Sequence, residues 1–167
     1  MVIVMENIIR IHLKDKLDYI NTFNEKILSY ELSNYILEET RGINTKQNIK
    51  FIISKEFEMT DDDKENLVDM IRNNFGADIS EIMNFSSKQL IGNVLIFLIG
   101  LIFLIIYSIF SKIMIISDFI LILGWVLLGE TICNFLYKGI ENKLKIAKRK
   151  QIVNAKVIFE EDYNINK

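Results

Sequence analysis

The 167-residue chain contains no proline, one cysteine, one histidine and one tryptophan. Average usage would place roughly eight prolines in it, so no segment is broken by a ring that lacks an N–H. With Cys133 as the lone thiol, no intramolecular disulfide framework can form. With His12 as the lone imidazole, a zinc site of histidines and cysteines within one chain is excluded. The phosphate-loop pattern GxxxxGK[ST] is missing, as are GxGxxG, HExxH and GxSxG. The expectation is therefore a chain that is not an enzyme, with no cofactor and no metal centre, and nothing in it points directly to nucleic acid.

What the sequence does hold is apolar length. Leu90 to Phe110 reads LIGNVLIFLIGLIFLIIYSIF, with Tyr107 as its one ionisable side chain. As a helix it would extend about 31 Å, the thickness of a bilayer's hydrocarbon core. A second run, Ile113 to Tyr137, follows after little more than Ser111 and Lys112 and either tilts or begins a turn late at Asp118. Both readings give a transmembrane helical hairpin over residues 90–137. Residues 1–89 carry 16 acidic and 11 basic side chains, whereas residues 138–167 carry 4 and 8. Because lysine and arginine beside a span stay cytoplasmic, the cluster of Lys138, Lys143, Lys145, Lys148, Arg149 and Lys150 places both termini in the cytoplasm. The N-terminal MVIVMENIIR is too short and too soon charged to act as a secretory signal. The same basic run, Lys143, Lys145, Lys148, Arg149 and Lys150, is the expected contact with anionic lipid.

The polar remainder reads as one small α+β domain built from both chain ends. Ile9, Ile11 and Leu13 alternate with Arg10, His12 and Lys14, the pattern of a half-buried strand over Asn7 to Lys14. Asp15 opens a stretch in which Leu17, Ile20, Phe23 and Ile27 recur at helical spacing. Glu31 to Thr40 either prolongs that helix or forms a short strand near Tyr35. Ile49 to Met59 is a second strand, with Ile49, Phe51, Ile53 and Phe57 on one side. Thr60 followed by Asp61, Asp62 and Asp63 is a helix start, with Leu67, Met70, Ile71 and Phe75 as the buried stripe. Gly76 suits that helix's end, and Asp78 with Glu81 a new start, Ile79 to Phe85. Val153, Ala155, Val157 and Phe159 alternate as a last strand, with residues 138–167 completing the domain. With the strand near Tyr35 the order is β-α-β-β-α-hairpin-β, a ferredoxin-like split βαβ pattern; without it, one long first helix covers a three-stranded sheet.

Two surfaces are candidates for function. In the second span Glu130, Asn134 and Lys138 follow at four-residue steps, and Ser117, Gly124 and Thr131 at seven-residue steps, giving one polar and small-residue face. A carboxylate facing lipid at mid-membrane costs on the order of 2.5–3.5 kcal/mol, so Glu130 is expected to face protein or water. Asn93, Gly100 and Tyr107 recur likewise in the first span, suited to helix contacts in lipid. Two helices cannot enclose an aqueous path, so a homo-oligomer is expected. On the domain, Arg10, His12, Lys14, Lys50, Ser54, Asn154 and Lys156 should share the sheet face opposite the helices. Arg10, His12, Lys14 and Lys50 there are the candidate ligand contacts.

This layout, a small cytoplasmic domain on a two-helix hairpin, resembles the two-span membrane effectors of bacterial anti-phage signalling systems. The resemblance rests on Leu90 to Tyr137 and the flanking segments, and it is architectural. It implies an inner-membrane protein in which a nucleotide-type ligand or a cytoplasmic protein engages the domain, the subunits rearrange, and the hairpins permeabilise the membrane. Glu130, Thr131 and Asn134 would then line the path. The alternative is a non-conducting anchor or scaffold that recruits a cytoplasmic partner.

Overall fold

The computed structural model describes residues 7–110 and 114–160. In chain order its elements are β1 (Asn7–Leu13), a 3-10 turn (Lys16–Asp18), β2 (Ile20–Asn21), β3 (Asn24–Leu28), α1 (Tyr30–Thr40), β4 (Ile49–Lys55), α2 (Asp61–Phe110), α3 (Met114–Val153) and β5 (Lys156–Phe159). The turn expected at Ser111 and Lys112 lies outside the described residues, as does Met1 to Glu6 of the N-terminal segment. Two compact units emerge. One combines the chain up to Ser80 with the chain from Lys145 onward, and the other is Glu81–Leu144.

In the first unit β1, β4 and β5 form one sheet in that order, and every pairing is parallel. Ile9, Ile11, Leu13, Ile49, Phe51, Ile53 and Phe159 turn to one side. They join Leu32 and Ile36 of α1, Leu67, Met70, Ile71 and Phe75 of α2 and Ile152 of α3 in a single core. Two crossovers of the same hand that step in one direction put their helices on one face. The other face carries Ile8, Arg10 and His12 of β1, Lys50, Ile52 and Ser54 of β4, and Lys156 and Ile158 of β5.

The ferredoxin-like expectation needs a strand near Tyr35, and that segment is helix α1. Ser29 caps it, its hydroxyl accepting from the Leu32 amide at 3.2 Å and donating to the Asp18 carbonyl at 2.6 Å. Leu32, Ile36 and Thr40 then fall on its buried side. The sheet accordingly has three parallel strands. The helix expected from Asp15 is absent as well, for a local reason. Asp15 caps only a 3-10 turn, its carboxylate accepting from Leu17 N at 2.7 Å while Asp18 accepts from Asp15 N. Asn21 and Asn24 each accept from the amide two residues on, at 2.9 and 3.0 Å. Such bonds compete with helical ones, and a β2–β3 hairpin results. Its tip residue Phe23 is 96% exposed and Leu17 65%, whereas Tyr19 and Leu28 enter the core.

Helix α2 begins where expected, because Thr60 and Asp63 satisfy each other: Asp63 N donates to Thr60 Oγ1 at 3.1 Å and Thr60 N to Asp63 Oδ2 at 3.1 Å. The Thr60 amide and hydroxyl, both donating to the carboxylate, with Lys16 nearby, hold the Asp63 carboxyl below the usual carboxylate range. The helix does not stop at Gly76, however, and Asp78 starts no new one. Gly76 has no positive φ, and no atom would lie within 4 Å of an added Cβ. A glycine in mid-helix weakens it only by roughly 0.5–1 kcal/mol against alanine, which the flanking helical bonds outweigh. Gly76→Ala is therefore expected to stabilise the protein by about that amount, read as a higher unfolding midpoint in detergent. The compact units divide at Ser80 and Lys145.

Candidate functional site

The second unit, Glu81–Leu144, contains the apolar parts of α2 and α3. Both are long and apolar enough to cross a membrane. A core helix of a soluble protein would bury most of such a stretch, yet only 6% of the most apolar window of α2 and 17% of that of α3 is buried. The two helices meet along a seam of small residues. A Cβ on Gly124 would stand 2.8 Å from Leu104 Cδ2 and 3.4 Å from the Gly100 carbonyl oxygen. One on Gly100 would stand 3.1 Å from Leu128 Cδ2 and 3.3 Å from Leu127 Cβ. Ser117, Gly124, Leu128 and Thr131 are buried there, and the Thr131 hydroxyl donates to the Leu127 carbonyl at 2.8 Å.

The single polar face expected from the spacing thus divides in two. Ser117, Gly124 and Thr131 close the hairpin's own seam, as Gly100 does from α2 with Asn93 and Tyr107 half-buried. Glu130 is exposed, Asn134 is half-buried and Lys138 is exposed. At 3.6 residues per turn Glu130 points about 120° away from Gly124. Residues at seven-residue steps share a face, but Glu130 is one position short of that series.

The first unit carries a different set. The register pairs His12 with Ser54 and Lys50 with Lys156 on the sheet face away from the core. His12 Nδ1 lies 2.9 Å from Ser54 Oγ and Nε2 lies 2.9 Å from Glu56 Oε1. With the proton on Nε2 the ring donates to Glu56 and accepts from the Ser54 hydroxyl. Serine, histidine and carboxylate are the residue types of a nucleophile relay. Here the His12 and Glu56 side chains are 52% and 59% exposed, without the water exclusion that strengthens such a site. Arg10 is exposed and its carbonyl accepts from the Tyr35 hydroxyl at 2.9 Å. Lys14 is exposed just past β1, and Asn154 sits in the turn before β5. Arg10, His12, Lys14 and Lys50 are the contacts expected from the sequence, and Glu56 is not among them; its carboxylate reaches His12 from beyond the end of β4.

The basic run is not uniformly exposed. Lys143, Lys145 and Lys150 are exposed. Lys148 instead donates to the Thr40 and Ile43 carbonyls at 2.6 and 2.5 Å and to Gln151 Oε1 at 3.2 Å. Arg149 donates to Asp78 Oδ2 at 2.8 Å. Both cations are tied into the first unit: Lys148 supplies a donor to the carbonyls at and just past the end of α1, which need one, and Arg149 pairs with a carboxylate of α2. Among the described residues no cluster of histidine, cysteine and carboxylate side chains could hold a metal ion. No protein-family model, curated protein or solved structure matches the chain.

Proposed function

We propose that this chain is a homo-oligomeric membrane protein of the bacterial inner membrane, its two apolar helices crossing as a hairpin and its Glu130 side chains forming the polar wall of an ion path. The observation that carries this reading is Glu130 itself, exposed on an apolar helix whose Ser117, Gly124 and Thr131 are already used in the hairpin's own seam. In lipid an outward carboxylate is unfavourable by on the order of 2.5–3.5 kcal/mol, so a neighbouring copy or shared water must face it. Copies inserted in the same direction set their Glu130 residues at one depth, and a carboxylate ring favours cations. The exposed lysines Lys138, Lys143, Lys145 and Lys150 orient both termini to the cytoplasm. The sheet-bearing unit is then the part a cytoplasmic ligand or protein reaches. It acts as a control element when that ligand binds one subunit arrangement more tightly than another. This is the behaviour implied by the resemblance to two-span effectors of anti-phage signalling systems.

The test is ion flux through liposomes that hold the purified protein, together with its native mass. A defined oligomer is expected to pass cations in preference to anions. Glu130→Gln is expected to lower that preference severalfold with the mass unchanged. A monomer that passes no ions overturns the reading and leaves the anchor role.

A further inference from the structure

A parallel sheet is ordinarily covered on both faces, and here, among the described residues, all three helices that feed the core lie on one. The open face has a definite charge pattern. Lys50 and Lys156 are directly paired across neighbouring strands, about 4.8 Å apart. Arg10 lies one row further along on β1, beside Ile52, and His12 follows in the row after that. Glu56, just past the end of β4, is bonded to His12 Nε2 at 2.9 Å, and exposed Glu160 follows β5 at the same end of the sheet. Ile8 is 48% exposed between these cations and the open edge of β1, whereas Ile52 is 3% exposed beneath them.

We propose that this face binds a soluble, multiply charged phosphate-bearing ligand, with Lys156 in the row of Lys50 and Arg10 in the next row as its cationic contacts and with Glu56 holding the place of an anion beside His12. The pattern selects among occupants. A second copy of the same face would bring like charges together, which disfavours a symmetric contact. Guanidinium and ammonium groups spread over two rows suit an anion with two or more phosphates, since charge-assisted bonds to separate phosphoryl oxygens add. When such an anion arrives, His12 Nε2–H exchanges its bond to Glu56 for one to a phosphate oxygen, and the Glu56 carboxylate turns to water. The proposal does not rest on an ion path, because binding is read on the sheet-bearing unit whether or not the hairpin conducts.

Pyrophosphate titrated calorimetrically into the full chain in neutral detergent tests it. Saturable binding is expected, weakening by at least about tenfold in the Arg10→Gln, Lys156→Gln double variant, a change worth about 1.4 kcal/mol. Glu56→Gln is expected to bind severalfold more tightly, because it removes both the competing anion and its repulsion. Both positions are exposed, and an unchanged circular dichroism melt establishes that the variants fold. Absence of saturable heat at millimolar pyrophosphate overturns the proposal, as does binding that the double substitution leaves unchanged. Retention by micelles doped with anionic phospholipid, lost in the double variant while pyrophosphate gives no heat, overturns it in favour of a lipid surface.

Discussion

Ending the chain after Lys150 is expected to abolish cooperative unfolding of the sheet-bearing unit while the apolar helices persist. The deletion takes away β5, the strand on one side of β4, and with it the buried side chains Ile152, Ala155 and Phe159. Burial of the isoleucine and phenylalanine alone contributes roughly 1.5–3 kcal/mol each. Gln151 goes too, and its amide group donates to the Asn44 and Gln47 carbonyls at 2.8 and 2.6 Å. The combined loss is on the order of 5–10 kcal/mol, comparable to the whole stability of an ordinary domain. Limited proteolysis should then cut within residues 7–60 while the hairpin helices resist, and the melt should lose its sigmoidal step. A truncated protein that still melts cooperatively, within about 2 kcal/mol of the parent, would mean that β1 and β4 with α1 and α2 suffice. The prediction has a topological root. The chain leaves the unit near Ser80 and returns near Lys145, so its last strand arrives only after the whole apolar hairpin.

The last strand was legible in the sequence, because Val157 and Phe159 alternate with Lys156 and Ile158 and an isolated strand needs a partner, which β4 supplies. The start of α2 was legible for the same kind of reason: Thr60 and Asp63 are three residues apart, and their reciprocal bonds need nothing from the rest of the chain. The stripe Leu67, Met70, Ile71 and Phe75 is buried throughout, as its spacing implied. Where local signals compete, the spacing misled. Leu17, Ile20, Phe23 and Ile27 have helical periodicity, yet Asn21 and Asn24 turn the backbone between them, and Ser29, three residues before Leu32, marks the true helix start. Parallel pairing was illegible because register between β1 and β4 is set by the intervening α1, whose identity was open. The candidate site was half legible. Alternation alone assigns Arg10, His12 and Lys50 to one face, but that Lys50 pairs with Lys156 depends on strands 106 residues apart. The division of the α3 face was illegible because seven-residue spacing does not say which of two neighbouring series, that of Gly124 or that of Glu130, takes the seam.

Lys148→Met is expected to destabilise the sheet-bearing unit by about 2–4 kcal/mol, more than removal of an ordinary surface lysine, because it strands acceptors. Methionine keeps most of the apolar stem that lysine lays along the unit, so the loss reports the ammonium group. Without it the Thr40 and Ile43 carbonyls lose their donor at the end of α1, and Gln151 Oε1 loses one as well. The pH dependence identifies what the ammonium does. Burial holds the Lys148 pKa below its ordinary 10.5, so between that lowered value and 10.5 the unfolded chain binds more protons than the native one. Stability owed to this group therefore rises with pH in that window. Tyr19 acts in the opposite sense: burial, with Asp63 adding to it, raises its phenol above 10.0. Its contribution is complete below 10.0 and is lost as pH rises through the raised value. The variant retains the tyrosine effect and lacks the lysine one. The stability difference between parent and Lys148→Met, measured by denaturant unfolding in detergent, should consequently widen as pH approaches 10.5. A difference that narrows instead would mean that the ammonium, with three N–H donors for the Thr40, Ile43 and Gln151 oxygens, contributes more than the neutral amine, which has two.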